Sequence, residues 1–229
     1  MEEKNYHPFY LVKMSSFNKY KKISDIPNKI SLFPLNGALL LPRSQLPLNI
    51  FEPRYLEMVD NSISSDRLIG MIQSQESNDS KLYKIGCAGR ITSYTELSDS
   101  RLLITLSGLC RFKIIEELET LTPYRQAKIS YDEFSNDLIS GFEEDKADRE
   151  RLLDILKKYL EKNNLQMDWE AVKSSPTETL VNSLCTLSPY SAEEKQVLLE
   201  ADSIEKRNDL LIAMTEMALS TNKGIESIQ

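Results

Sequence analysis

A single histidine, His7, stands in the 229 residues, so imidazole chemistry has almost nothing to work with. A Ser-His-Asp triad would have to recruit it from the N-terminal stretch, and no G-x-S-x-G elbow is present. Cysteine is scarce too. Cys87, Cys110 and Cys185 are widely spaced, form no CxxC pair and lack histidine company. That excludes a disulfide framework and a zinc site, and reads as three packing thiols. No G-x-x-x-x-G-K-[ST] occurs, and Gly86-Cys87-Ala88-Gly89 lacks the lysine a phosphate cradle needs. No apolar run approaches the ~20 residues that span a bilayer. Phe9 to Val12 is also shorter than the about 7–15 residues of a secretory apolar core. A cytoplasmic location without membrane contact is expected. Glu116-Glu117 and Glu143-Glu144-Asp145 read as solvated faces rather than acid/base pairs. No catalytic residue, metal ligand or cofactor is expected, and the chain does not read as an enzyme.

What is present is the material of an ordinary folded domain, 41% apolar and 28% charged, long enough to bury a sizeable core. Charge is uneven. Residues 1–30 carry six Lys/Arg against three Asp/Glu, residues 31–131 eleven of each, and residues 132–229 eleven against twenty-one. An acidic C-terminal part repels phosphate backbones, which disfavours nucleic acid as a partner.

Three segments follow from the patterning: a basic tail over 1–22, a β-rich part over 23–135 and a helical part over 136–229. Ile30 to Leu35 is extended and stops at the turn dipeptide Asn36-Gly37. Leu39 to Leu41 resume the apolar run, Leu68 to Ile72 reads as a buried strand, and Ser74 to Ser80 as a polar loop. Gly86 and Gly89 inside a strand pattern predict a bulge or close backbone approach. Two strands, 101–106 and 111–115, flank a break at Gly108, and Tyr124 to Tyr131 alternates. Five or more short strands imply a small closed or half-closed barrel. From about Ser140 the period becomes helical, with Leu152, Leu153, Leu156, Tyr159 and Leu160 on one face. Capping boxes are predicted at Ser175–Glu178, Ser191–Glu194 and Asp202–Glu205. The fold class is therefore α+β, a β-rich barrel followed by a helical bundle.

One stretch organises the rest. In Leu46-Pro47-Leu48-Asn49-Ile50-Phe51-Glu52-Pro53-Arg54-Tyr55, Pro47 forbids a continuous helix and confines the run to an edge or turn. Glu52 stands where an acid can meet bare helical N–H groups, and Pro53 suits a first helical position. Leu56, Val59 and Ile63 then form one buried stripe. The stretch reads as strand, corner and helix.

These residues resemble a known family. Ser31-Leu32-Phe33-Pro34-Leu35 followed by the Leu46–Tyr55 stretch is similar to the hallmark of the Lon protease N-terminal, substrate-binding domain. Gly86 to Ile91, Gly108 to Phe112, Pro123 to Ala127, and Leu187 to Tyr190 with Lys195 to Glu200 and Arg207 resemble further elements in the same order. Arg43 departs from the pattern, which often has glycine there. The resemblance implies a PUA-like pseudo-barrel followed by a helical bundle, as a stand-alone bacterial protein without the ATPase and Ser-Lys protease modules. It implies a non-catalytic module that binds exposed apolar segments of client proteins, and it leaves open a separate ATPase or protease as partner. The expected peptide-binding residues are Pro34, Leu35, Leu39, Leu41, Pro42, Arg43, Leu46, Leu48 and Phe51. Glu52, Pro53, Arg54 and Tyr55 form the structural corner. Two alternatives stand beside this. An RNA-binding PUA-like module would use Arg43, Arg90, Arg101 and Arg111, and a small-molecule domain would use a pocket between barrel and bundle.

Overall fold

The computed structural model of the chain describes residues 19–75 and 81–221. Most of the predicted tail, His7 included, and Glu76 to Ser80 of the predicted loop lie outside them. The end of that tail is docked. Tyr20 is buried and its hydroxyl donates to the Asp66 carbonyl at 2.9 Å, while Lys19 Nζ donates to Asp66 at 3.0 Å.

Six strands form one sheet: β1 (Lys29–Pro34), β2 (Gln45–Ile50), β3 (Leu68–Ile72), β4 (Ile85–Glu96), β5 (Leu102–Leu118) and β6 (Gln126–Ser130). Their order is β2-β5-β4-β3-β1-β6, with β6 also pairing back onto β5. Five strands thus close into a barrel, and β2 is appended outside the ring on the first half of β5. Closure is possible because β5 is 17 residues long. Its first half pairs with β2 and its second half, from Lys113, with β6. Sequence patterning predicted a break at Gly108. The strand instead runs through it, and the glycine serves a close approach: a Cβ there would lie 1.9 Å from the Leu41 carbonyl oxygen. Bulges at Leu109 in β5 and at Thr92 in β4 supply the bend that such a small ring needs.

The barrel is filled by Ile30, Leu32, Ile72, Ala88, Cys110, Phe112, Ala127 and Ile129. A second core lies outside the ring, where helix α1 (Pro53–Ile63) and the C-terminal helices pack on it. β3 alternates between the two cores, which explains why it reads as a continuous apolar run. The helices are α2 (Arg149–Lys162), α3 (Trp169–Ser174), α4 (Thr177–Leu187), α5 (Ala192–Glu200) and α6 (Ile204–Thr221). The capping box at Ser191–Glu194 is present. The third cap is shifted by one residue, Ser203 accepting from the Lys206 N–H. The Ser175–Glu178 box is not formed: α4 begins after Pro176, and Glu178 is turned toward the barrel.

The last strand ends at Ser130 and the first helix of the bundle begins at Arg149, but barrel and bundle share the outer core, in which Phe33, Leu39–Leu41 and Tyr55 meet Leu152, Leu180, Leu198 and Ile212. Buried polar groups sew the seam. Arg111, named above for an RNA-binding face, is 4% exposed. Its guanidinium forks onto Asp137 at 2.8 and 2.9 Å and donates to the Leu199 and Ala201 carbonyls. Arg207 donates to the Leu198 carbonyl and to Asn182 Oδ1, and Asn182 donates to the Pro42 carbonyl at 2.9 Å. Burial pulls the Arg207 pKa down to about 10.

Candidate functional site

β2 is hydrogen-bonded to a neighbouring strand on one side only. Its inward residues Leu46, Leu48 and Ile50 stand opposite Leu106, Ile104 and Leu102, and Pro47 and Asn49 point outward, exposed. The Ser44 carbonyl accepts from the Gly108 N–H at 3.0 Å, so the next backbone groups turned to β5 are those of Leu46 and Leu48. Those of Gln45, Pro47 and Asn49 face the open side. Proline, with no N–H to offer, is tolerated on such an edge, as its place in the sequence predicted.

Phe51 ends the strand with 63% of its surface exposed, and Leu103, opposite Asn49, is 44% exposed. Leu103 was not among the expected site residues. The signal was the lone outward position between the inward Leu102 and Ile104.

The other expected site residues divide sharply. Leu39 and Leu41 are in the core, and Pro34 and Pro42 are buried, so these four serve packing and offer a ligand nothing. Leu35, Leu46 and Leu48 are half-buried against the outer core. Arg43 adopts a left-handed backbone, φ 62°, the conformation that glycine accommodates freely. Its guanidinium is engaged by Glu178 (Nε to Oε2 2.7 Å, with a second contact to Oε1) and by the Asp137 carbonyl at 2.8 Å. Arg43 therefore latches the loop before β2 to α4 rather than facing a ligand.

The corner forms a stack. Phe33 and Tyr55 have ring centroids 4.3 Å apart, and the Arg54 guanidinium covers Tyr55 at 4.4 Å. Pro53 opens α1 as predicted, but Glu52 makes no side-chain cap and instead pairs with Arg54 at 2.9 Å.

Three of the four arginines named for an RNA site are in ion pairs, Arg43 with Glu178, Arg101 with Asp99 and Arg111 with Asp137. A pocket between barrel and bundle was the other alternative. The seam is filled by the shared core, and two clefts, of about 400 and 260 Å³, flank α1. All three cysteines are free and buried. Among the described residues no group of His, Cys, Asp and Glu could hold a metal ion, and no helix is long and apolar enough to cross a membrane.

Comparisons with known proteins agree with the architecture. Residues 29–216 match the family described as the ATP-dependent protease La (LON) substrate-binding domain. Curated relatives include Lon protease of Syntrophus aciditrophicus, 23% identical over 94% of this chain and 28% of that protein. Another is Lon protease of Dictyoglomus thermophilum, 25% identical over 80% of this chain and 24% of that protein. The chain thus spans about a quarter of the length of these relatives. Among solved structures, the Lon N-terminal domain protein from Xanthomonas campestris superposes with a TM-score of 0.59 at 23% identity, covering 82% of this chain and 98% of that one. The N-terminal domain of Mycobacterium avium complex Lon protease gives 0.63 at 14% identity, with the same coverage. The five-strand barrel with its appended edge strand and flanking helices superposes on these Lon N-terminal domains, and the chain belongs to the Lon substrate-binding domain family.

Proposed function

We propose that this chain is a non-catalytic recognition module that takes exposed apolar segments of client polypeptides as an added strand along β2. Membership of a substrate-binding family supports the general reading. The observation that carries the specific one is the open edge of β2, whose outward backbone groups belong to Gln45, Pro47 and Asn49 and which ends in the exposed Phe51. An added strand gains affinity from main-chain hydrogen bonds and selectivity from alternate side chains. Phe51 and Leu103 offer apolar contacts to the side chains that project over the outer face. Pro47 removes one donor from the middle of the edge. That weakens continuous pairing and guards against edge-to-edge self-association, leaving a site suited to short, transient partners. A client of this kind is unfolded or locally exposed, because a native protein has its strands already paired.

The test is a titration of the chain against one polypeptide in two states, permanently unfolded and native. Micromolar binding of the unfolded state only, weakened at least tenfold by Phe51→Ser, is the expected result. Equal binding of both states, or of neither, would sink the proposal. Phe51 is exposed enough for its replacement to leave the fold intact, which unchanged thermal unfolding would verify.

A further inference from the structure

On the other face of the same ribbon lies the 260 Å³ groove between the end of α1 and β4, lined by Ile63, Arg67, Ile91, Thr92, Ser93 and Tyr94. Three local departures from regular geometry build it. First, the register of β4 against β5 shifts between Ile91 and Ser93, so Thr92 is an extra residue. Alternation would otherwise put Ile91 and Tyr94 on opposite faces; the inserted residue puts both on the side of Leu106 and Ile104. Tyr94 nevertheless remains 53% exposed, while Ile91 is buried as the floor.

Second, Arg67 has φ 59°, a left-handed conformation unfavourable for a residue that bears a side chain. Third, its backbone is pinned on both sides. Its N–H donates to the Ser62 carbonyl at 2.8 Å, and its carbonyl accepts from the Ile91 N–H at 2.8 Å. The strained residue is thus fixed to the floor of the groove with an exposed guanidinium at the mouth. Unlike Arg43, whose equal strain is matched by Glu178, Arg67 has no carboxylate within ion-pair distance among the described residues.

We propose that this groove binds the C-terminal residue of a polypeptide, an apolar side chain lying on Ile63, Ile91 and Tyr94 and the terminal carboxylate pairing with Arg67. Charge complementarity selects the carboxylate, since a planar guanidinium matches it bidentately. The apolar floor selects the side chain beside it. The groove is smaller than the roughly 300–1,000 Å³ of sites for drug-sized ligands, which suits a single residue. The rung Tyr94–Ile104–Leu48 joins the groove to β2. The inference rests on the client-binding reading and adds to it a preference for chain ends.

The experiment compares one apolar decapeptide ending in leucine, as the free acid and as the C-terminal amide, by fluorescence anisotropy on the 229-residue chain. Charge-assisted hydrogen bonds are worth about 1.5–3 kcal/mol, so the acid should bind about tenfold or more tightly. Arg67→Gly removes the guanidinium and relieves the backbone, so it should fold at least as well as the parent while erasing the acid–amide difference. Tyr94→Ser should weaken the acid without restoring the amide. Equal binding of acid and amide, or a difference that survives Arg67→Gly, would overturn the proposal while leaving the β2 edge as a site for internal segments. Absence of binding by either peptide and by an unfolded polypeptide would overturn both.

Discussion

Single residues carry much of the fold's specificity, and Arg43 shows how two costs are set against each other. Its left-handed backbone is unfavourable by about 1–2 kcal/mol relative to an allowed conformation. Its removal, however, leaves the Glu178 side chain, 11% exposed, without its cation. Breaking a buried pair by deleting one partner costs about 3–5 kcal/mol. The second term wins, so Arg43→Gly should lower the unfolding free energy by about 2–3 kcal/mol in urea denaturation, although it relieves the left-handed backbone. The cysteines make a pH-dependent contribution. Burial pushes the Cys185 thiol from 9.0 up to about 12 and raises Cys87 and Cys110 as well. In the unfolded chain these thiols ionise near 9, whereas in the folded one they stay protonated. The stability they confer is full below pH 9 and is lost as pH rises from 9 toward 12. At pH 8 a thiol reagent should label none of the three in the native protein and all three in denaturant, and stability should fall more steeply above pH 9 than in a triple Cys→Ala variant. The residues themselves do not disclose the left-handed backbone at Arg43 and Arg67, and only at Arg43 did the resemblance, with its frequent glycine, hint at it. Glycine is the usual signal for that conformation, and neither position has it.

At the scale of elements, most of the fold was legible. A continuous apolar run marks β3, period two marks β6, the Asn36-Gly37 turn ends β1, and Pro53 opens α1. Pro47 correctly limited its strand to an edge. The failures share a cause: residues whose partners are far off in sequence. Leu39–Leu41 and Arg111 look like an apolar edge and a surface charge until the bundle is placed over them. Glu178 looks like half of a capping box until Arg43 is beside it. Gly108 looks like a strand break until Leu41 is seen 1.9 Å from where its Cβ would be. A side chain there must displace the loop backbone that aligns β2. Gly108→Ala should therefore cost more than the about 1–3 kcal/mol of ordinary overpacking, seen as a large drop in Tm or failure to accumulate folded protein. The neighbouring Leu103→Ser, on the exposed face, serves as the tolerated control.

For the whole molecule, the seam decides what is available for binding. Arg111 donates to the Leu199 and Ala201 carbonyls, Asn182 donates to the Pro42 carbonyl and Arg43 pairs with Glu178, which together hold the bundle against the barrel and the loop that precedes β2. The bundle thus braces the barrel and leaves the far side of β2 open. Residues 132–229 carry the acidic surplus behind the net charge of −7. Amide hydrogen exchange of the chain, with and without a saturating unfolded polypeptide, tests the central claim most directly. Strand addition along β2 predicts slowed exchange at Gln45 and Asn49, whose N–H groups face the open side, with little change at Leu46 and Leu48, already bonded to β5. Protection confined to other elements, with Gln45 and Asn49 unchanged at saturation, would contradict it.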